Sequence, residues 1–177
     1  IMIKPGHAET ISTATAMGWV VAGVAIVGLG SGSLRPTFTL CTAATATITV
    51  SVANVSVQNC LFVANFADVA TIFTLTTAKD FACENCEFRD TSAILNAINV
   101  IDTNATANAA DGLYFVENRV KSLGTTAATS CFDINAALDR MVVNGNYYTG
   151  GVVNNTPAWI DAGANAVTNL EMGGNLT

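Results

Sequence analysis

The residues Val55 to Phe62, VSVQNCLF, decide the fold because their pattern returns about once every thirty residues. The pattern is apolar, any, apolar, any, any, Cys or Asn, any, apolar. Each copy predicts a short strand with one inward face, a corner, and a second inward position after the corner. The other copies are FACENCEF at 81–88, LYFVENRV at 113–120, MVVNGNYY at 141–148 and LEMGGNLT at 170–177, with a weaker VAIVGL at 24–29.

The spacing of the Cys and Asn positions is that of a solenoid. In the five full copies these positions are 26, 32, 28 and 29 residues apart. A second apolar run between copies, such as AINVI at 97–101, supplies another strand per coil. A fixed period of this length is typical of stacked repeats, whose parallel strands lie ~4.8 Å apart. The corner residues should therefore form a ladder along one edge, and they are Cys60, Cys86, Asn118, Asn146 and Asn175.

We therefore predict an all-β, right-handed parallel β-helix, a single-stranded solenoid of about six coils of 26–32 residues. Asn suits the corner because it tolerates positive φ and hydrogen-bonds locally. A β-sandwich is the alternative, but its strands alternate at closer spacing without a column of corner residues. Residues 1–177 are expected to form one β-helix domain. The chain is also expected to be a fragment of a longer polypeptide, because it begins near a Pro-Gly turn and ends inside a repeat.

Charge and cysteine content exclude several functions. The chain has seven Lys and Arg against thirteen Asp and Glu, for a net charge of −6. Its cations are scattered singly, which argues against nucleic-acid binding. Five Cys is an odd number and implies no disulfide framework at this length. One CxxC, at 83–86, and a single His make a zinc site improbable. We expect neither a metal nor a cofactor.

The stretch from Ile11 to Leu34 carries no charge. A hydropathy scan would identify it as a membrane span. Five glycines interrupt it, however, and the rest of the chain is almost as poor in charge. A buried strand is the simpler interpretation, and no membrane insertion is expected.

The first coils carry a family resemblance. Its residues are IKPG at 3–6, ETI at 9–11, GLG at 28–30 and Arg35-Pro36. Together with the corner Asn column, this opening resembles that of pectate-lyase-like right-handed β-helices. In that superfamily a strand ending in Pro-Gly is followed by Glu-x-aliphatic and then by an aliphatic strand ending in Gly-x-Gly. The resemblance covers most of the chain and specifies fold better than function.

The resemblance implies several functions, since the superfamily includes pectin-cleaving enzymes, sugar epimerases, adhesins, tailspikes and other phage virion proteins. The Ala-, Thr- and Asn-rich, charge-poor texture is most similar to phage structural proteins. The first hypothesis is therefore a structural shaft or spike segment of a viral assembly, a phage tail or decoration protein. It would be a homotrimer bound to other virion or surface proteins, on a virion or an extracellular surface.

Two alternatives stay open. One is a carbohydrate-active enzyme (a polysaccharide lyase or glycoside hydrolase) or a glycan-binding tailspike that recognises host polysaccharide. The other is a cell-surface adhesin. The enzyme is less favoured because no Arg recurs at an outward position to activate a lyase base, and the motifs of the pectin esterases are absent.

The resemblance implies that catalytic carboxylates lie in a groove on the outer face of one sheet. Asp102, Asp133 and Asp161 are the candidates, each following the second strand of a coil. Carboxylates on adjacent rungs would be about 5 Å apart, as in a retaining glycosidase, or could hold calcium with a further ligand. The position of each of these residues is also typical of a turn-capping Asp. The polar insertion at 103–110 argues against strict stacking.

Further candidates precede the main strands or point outward. Asp80, Asp111 and Asp139 form a possible second column, although all three also read as turn residues. Tyr114 and Tyr147 fall on outward positions of the pattern, where aromatic rings could stack on sugars.

Overall fold

The chain folds into a parallel β-solenoid of about six turns, as the repeat predicts. The computed structural model describes residues 1–123, 130–150 and 158–176. In chain order its strands are β1 (Met2–Ile3), β2 (Ala8–Ile11), β3 (Met17–Trp19), β4 (Ala25–Gly28), β5 (Thr37–Leu40), β6 (Ile48–Val50), β7 (Ser56–Gln58), β8 (Leu61–Ala64), β9 (Val69–Leu75), β10 (Ala82–Glu84), β11 (Glu87–Asp90), β12 (Ala97–Thr103), β13 (Tyr114–Val116), β14 (Arg119–Ser122), β15 (Ser130–Ile134), β16 (Leu138–Asn144), β17 (Tyr147–Gly150), β18 (Ala158–Asp161) and β19 (Val167–Gly173).

Each coil contributes one strand to each of three parallel sheets. Sheet A contains β1, β4, β7, β10, β13, β16 and β19. Sheet B contains β2, β5, β8, β11, β14 and β17, and sheet C contains β3, β6, β9, β12, β15 and β18. Every strand pairs with the strand three further along the chain, so each coil lies on the one before it. A single 3-10 turn, Gly32–Leu34, is the only helical element among the described residues.

Stacked aromatic rings fill the space between the sheets. Phe38, Phe62 and Phe88 lie on successive strands of sheet B, with ring centroids 5.4 and 5.1 Å apart and interplanar angles of 16° and 15°. Phe73 of sheet C meets Phe62 edge-on at 4.9 Å. Aromatic pairs at these separations add to the stabilisation from burial alone. The inward phenylalanines therefore tie sheet B to sheet C as well as coil to coil.

The corner between sheets A and B bends at the residue before the Cys or Asn. The expectation that the corner residue itself takes positive φ is wrong, because the preceding residue has the left-handed backbone. That turn directs the following side chain into the interior, where Cys60, Cys86, Asn118 and Asn146 are buried. The left-handed residues, with φ between 48° and 63°, are Asn59, Asn85, Glu117, Gly145 and Gly174.

The corner ladder, Cys60, Cys86, Asn118, Asn146 and Asn175, joins each coil to the one before it. Asn118 Oδ1 accepts a hydrogen bond from the Cys86 N–H at 2.8 Å, and its Nδ2 donates to the Cys83 carbonyl at 2.9 Å. Asn146 and Asn175 each make the same two bonds one and two coils further on, at 2.7–3.0 Å. Buried backbone groups that the bend removes from the sheets are thereby satisfied.

Thiols replace amides at the other end of the ladder. The Cys86 Sγ lies 3.5 Å from the Cys60 nitrogen and 3.8 Å from the Val57 carbonyl oxygen. Burial, assisted by Cys86, raises the pKa of the Cys60 thiol to about 12. The thiol therefore stays protonated, and sulfur is a weaker partner than an amide.

The Pro-Gly and Gly-x-Gly segments meet at this same corner in the first two coils. Gly6 donates its N–H to the Leu34 carbonyl at 2.7 Å. Gly30 has a φ of 106°, and a Cβ there would lie 2.6 Å from the Leu34 oxygen. A Cβ on Gly28 would overlap the Asn59 backbone oxygen. Close backbone approach therefore accounts for these glycines locally.

The uncharged stretch from Ile11 to Leu34 is not the buried strand that its composition predicts. It contains β3, β4 and the 3-10 turn, and Val20 and Val21 in its middle are 65% and 63% exposed. The two valines lie in the connection between β3 and β4, outside any sheet, so no strand covers them. No helix of the described residues has the length and apolar character needed to span a membrane.

Replacing Asn118 tests the ladder. Asn118→Ala removes the partners of the Cys86 N–H and the Cys83 carbonyl. Each buried group left unsatisfied costs about 1–3 kcal/mol, so we expect the free energy of unfolding to fall by about 2–4 kcal/mol. Urea denaturation followed by circular dichroism measures it. Asn118→Cys, which places the residue found at Cys86 into this position, should lower the free energy of unfolding by less. Equal stability of Asn118→Ala and wild type would contradict the role of Asn118 in the ladder.

Candidate functional site

Asp102, Asp133 and Asp161 lie in register on β12, β15 and β18 of sheet C. The insertion at 103–110 does not disturb this register, because β12 continues to Thr103 before the chain leaves the sheet. Adjacent parallel strands are ~4.8 Å apart, so the three carboxylates form an acidic column. Thr74 precedes Asp102 at the same position in the coil before.

Burial and mutual repulsion shape the electrostatics of the acidic column. Partial burial raises the pKa of Asp102 and of Asp133, and the next carboxylate in the column adds to each rise. Asn135 opposes both effects, since its Nδ2 donates to Asp102 Oδ1 at 2.8 Å and its side chain also bonds Asp133. Among the described residues, no ion pair includes a member of the column.

Asp102 and Asp133 share one kind of environment, since the pKa of each is raised by partial burial and by the next carboxylate of the column. Asp161 accepts the Gly163 N–H at 3.1 Å, as a turn-capping Asp does. In the part of the chain that is described, no group of three or more His, Cys, Asp and Glu is arranged to hold a metal ion.

The proposed second column is wrong for Asp80. Its backbone position matches Gly112 and Arg140 on the following coils, one residue away from Asp111 and Asp139. Asp111 Oδ1 accepts the Asp139 N–H at 2.9 Å, so those two carboxylates do connect adjacent coils. Asp80 is out of register with these two residues because it is the left-handed residue of its turn, with a φ of 54°.

The Asp139 carboxylate also accepts hydrogen bonds from the next coil. Thr168 Oγ1 donates to its Oδ1 at 2.6 Å, and Asn169 Nδ2 donates to the same atom at 2.7 Å. These bonds lower the pKa of Asp139. This carboxylate therefore holds coils together.

Tyr114 and Tyr147 are both exposed but do not share a surface. Tyr114 lies on the outer face of sheet A, and Tyr147 lies on the outer face of sheet B. The corner ladder and its left-handed residues stand between them. A single platform for stacking a sugar on both rings is therefore not formed.

Each tyrosine instead lines its own recess along the corner. Tyr114 borders a groove of about 450 Å³ whose walls include Gln58, Glu84 and Glu117. Tyr147 borders one of about 280 Å³, together with Arg35, Glu87 and Arg119. Glu84 and Glu117 were not among the sequence candidates, because acidic residues at outward positions of one copy give no recurrent signal.

A basic patch, formed by Arg89, Arg119 and Lys121, occupies the outer face of sheet B. In the strand register of β11 and β14, Arg89 lies opposite Lys121 and Arg119 lies opposite Glu87. The cations look scattered in the sequence, yet Arg89 and Lys121 each stand three residues after a corner residue, Cys86 and Asn118. That shared offset is the signal that would have predicted their stacking.

Asp90 is a buried carboxylate that the sequence does not mark. It accepts hydrogen bonds from the Ala97 N–H at 2.9 Å, the Leu123 N–H at 2.8 Å and Ser122 Oγ at 3.1 Å. These partners belong to its own coil and to the next. Asp90 therefore anchors the end of β11, next to a cavity of about 20 Å³ that Tyr148 also lines.

No protein-family model, no curated protein and no solved structure matches the chain.

Asp133→Asn tests the electrostatics of the acidic column. Because the pKa of Asp133 is raised in the folded state, its favourable contribution is full below the unfolded pKa of about 3.9 and is lost as pH rises through the folded pKa. The variant should therefore be more stable than wild type near pH 7, by about 0.5 kcal/mol after screening by solvent, and lose that gain near pH 3. Urea midpoints from pH 3 to pH 8 measure this.

Asp139→Asn is the matched control, with the opposite sign. The pKa of Asp139 is lowered, so its contribution is present above the unfolded pKa and is lost as pH falls. That variant should be less stable than wild type near pH 7. If both substitutions change the stability in the same direction near pH 7, the assignment of the two carboxylate environments is wrong.

Proposed function

We propose that the chain is a structural β-solenoid segment, a shaft or spike of a viral assembly such as a phage tail or decoration protein, and that copies associate side by side as a trimer. The observation that carries this proposal is the use of polar side chains to join coils. The ladder amides, Asp90, Asp111 and Asp139 all accept or donate hydrogen bonds across coils. A side chain committed in this way is part of the scaffold.

The composition also supports a structural role. The chain is rich in Thr, Ala, Val and Asn and poor in charge, a composition similar to that of phage structural proteins. The acidic column suits binding of positive charge, because three carboxylates stack on adjacent strands and belong to no ion pair within the described residues. The location that follows from the proposal is a virion or an extracellular surface.

Sedimentation tests the proposed assembly. The purified chain should sediment as a trimer over a range of micromolar concentrations, and its coding region should adjoin capsid or tail genes. A monodisperse monomer at every concentration would contradict the proposal. Neighbouring genes for polysaccharide metabolism, without any virion gene, would also count against it.

Glycan binding is a second candidate, favoured by the groove beside Tyr114. An exposed ring with Gln58, Glu84 and Glu117 nearby offers an apolar face and hydrogen-bond acceptors, the combination that sugars require. The groove follows the corner of the rod, so an extended polysaccharide is the ligand that fits it best.

Binding to immobilised polysaccharides tests this second candidate. Tyr114→Ala should weaken binding by about tenfold or more, in keeping with the loss of a stacked ring, whereas Tyr147→Ala serves as the control on the other side of the corner. Equal affinity of both variants and wild type would reject the groove as the site. Polysaccharide cleavage by wild type that is lost in Asp133→Asn would favour an enzyme instead.

A further inference from the structure

We infer that in the side-by-side assembly the basic patch on sheet B of one copy faces the acidic column on sheet C of its neighbour. The inference rests on the proposed function for side-by-side association and adds which faces meet. The occupant of each charged face is thus a second copy of this chain. Four observations carry the inference. They are the position of the charges along the rod, the neutral coils beside them, the charge left unpaired on each surface, and the location of the two surfaces on different sheets.

The two charged surfaces lie at the same position along the rod. Arg89, Arg119 and Lys121 lie on β11 and β14, in the fourth and fifth coils. The acidic column lies on β12, β15 and β18, in the fourth, fifth and sixth coils. Coils advance by the same ~4.8 Å in every sheet. A rotation about an axis parallel to the rod, without sliding, therefore keeps the two surfaces at one height.

Both faces become charged at the same coil. In the second and third coils the positions equivalent to Arg89 are Thr39 and Val63. In those coils the positions equivalent to Asp102 are Thr49 and Thr74. Facing copies would therefore match the neutral second and third coils with each other and the opposite charges of the fourth and fifth coils, whereas Asp161 in the sixth coil would lie at the height of Thr149. A copy shifted by two coils would lose much of that match.

Neither surface is fully neutralised within one copy, although Glu87 lies beside Arg89 and Arg119 in the basic patch. In the described part of the chain, Arg119 and Lys121 are exposed and belong to no ion pair. Arg89 reaches only Glu87, at 3.9 Å, and Glu87 also pairs with Arg35 at 3.6 Å. Like charges directly opposite across strands destabilise a sheet, and both surfaces contain such pairs, Arg89 with Lys121 and Asp102 with Asp133. A neighbouring copy supplies the opposite charge to each.

The two surfaces belong to different faces of the rod, so the contact is heterologous. Such contacts close into a ring when each copy is rotated by the same fraction of a turn. A rod with three sheets leaves sheet A outside the contact, where the groove beside Tyr114 remains open to solvent. Exposed charge pairs are screened by salt, so association should weaken as ionic strength rises.

Charge reversal on the full chain tests the pairing. The basic-patch variant carries Arg89→Glu, Arg119→Glu and Lys121→Glu, and the acidic-column variant carries Asp102→Lys, Asp133→Lys and Asp161→Lys. A combined variant carries all six changes. The control carries Lys4→Glu, Lys79→Glu and Arg140→Glu, three reversals outside both surfaces. Circular dichroism and urea midpoints establish that each variant is folded, and sedimentation equilibrium measures association.

Each single-surface variant should associate at least about a hundredfold more weakly than wild type, because like charges then face each other. The combined variant should recover association, since opposite charges face again, and the control should match wild type. Folded single-surface variants that associate like the control, or a folded combined variant that stays dissociated, would overturn the inference while leaving the trimer intact.

Two further outcomes distinguish a failure of the trimer from a failure of the pairing. A wild-type chain that is monomeric at every concentration overturns the proposed trimer and the pairing together. Association that is lost with a chelator and in the acidic-column variant, but kept in the basic-patch variant, places a cation between copies and overturns the pairing alone.

Discussion

Each coil of this solenoid must present its backbone groups in register to the coil that follows, and that requirement is met at the corner between sheets A and B by buried side-chain amides. At the bend between sheets A and B the chain leaves the regular ladder of hydrogen bonds. Asn118, Asn146 and Asn175 restore it by bonding one backbone N–H and one carbonyl each. Because the bend keeps two residues in four successive coils, the side chains can stack directly.

Stacking in register explains why the fold could be predicted from the sequence. A residue at the same offset in each copy meets the same surroundings, so Cys60 and Asn175 belong to one column although 115 positions separate them. The second apolar runs became β9, β12, β15 and β18 for the same reason. The sequence pattern places the bend one residue too late. Asn occurs both at the left-handed position of the bend and at the buried position that follows it, so composition does not distinguish the two.

The candidate functional surfaces are harder to predict because they depend on exact register. Asp102 and Asp133 remain paired despite the insertion between their coils, which depends on where β12 ends. Asp80 is one residue out of register with Asp111, so it occupies the left-handed position of its turn and not the position of Asp111. Arg89 and Lys121 look isolated in the sequence and become neighbours only when β11 lies on β14. Asp90 is buried by contacts with the next coil, which no local pattern reveals.

The insertion at 103–110 has a consequence for the dimensions of the rod. It adds residues to one coil, yet β12 and β13 pair with their neighbours as the other strands do. The length of the rod therefore depends on the number of coils, while the number of residues in a coil changes only its width at one side. The extra residues therefore widen the rod at this connection, where Ala109 and Ala110 are buried and the Asn108 N–H bonds the Ala137 carbonyl of the next coil, and they leave the spacing of the strands on either side unchanged.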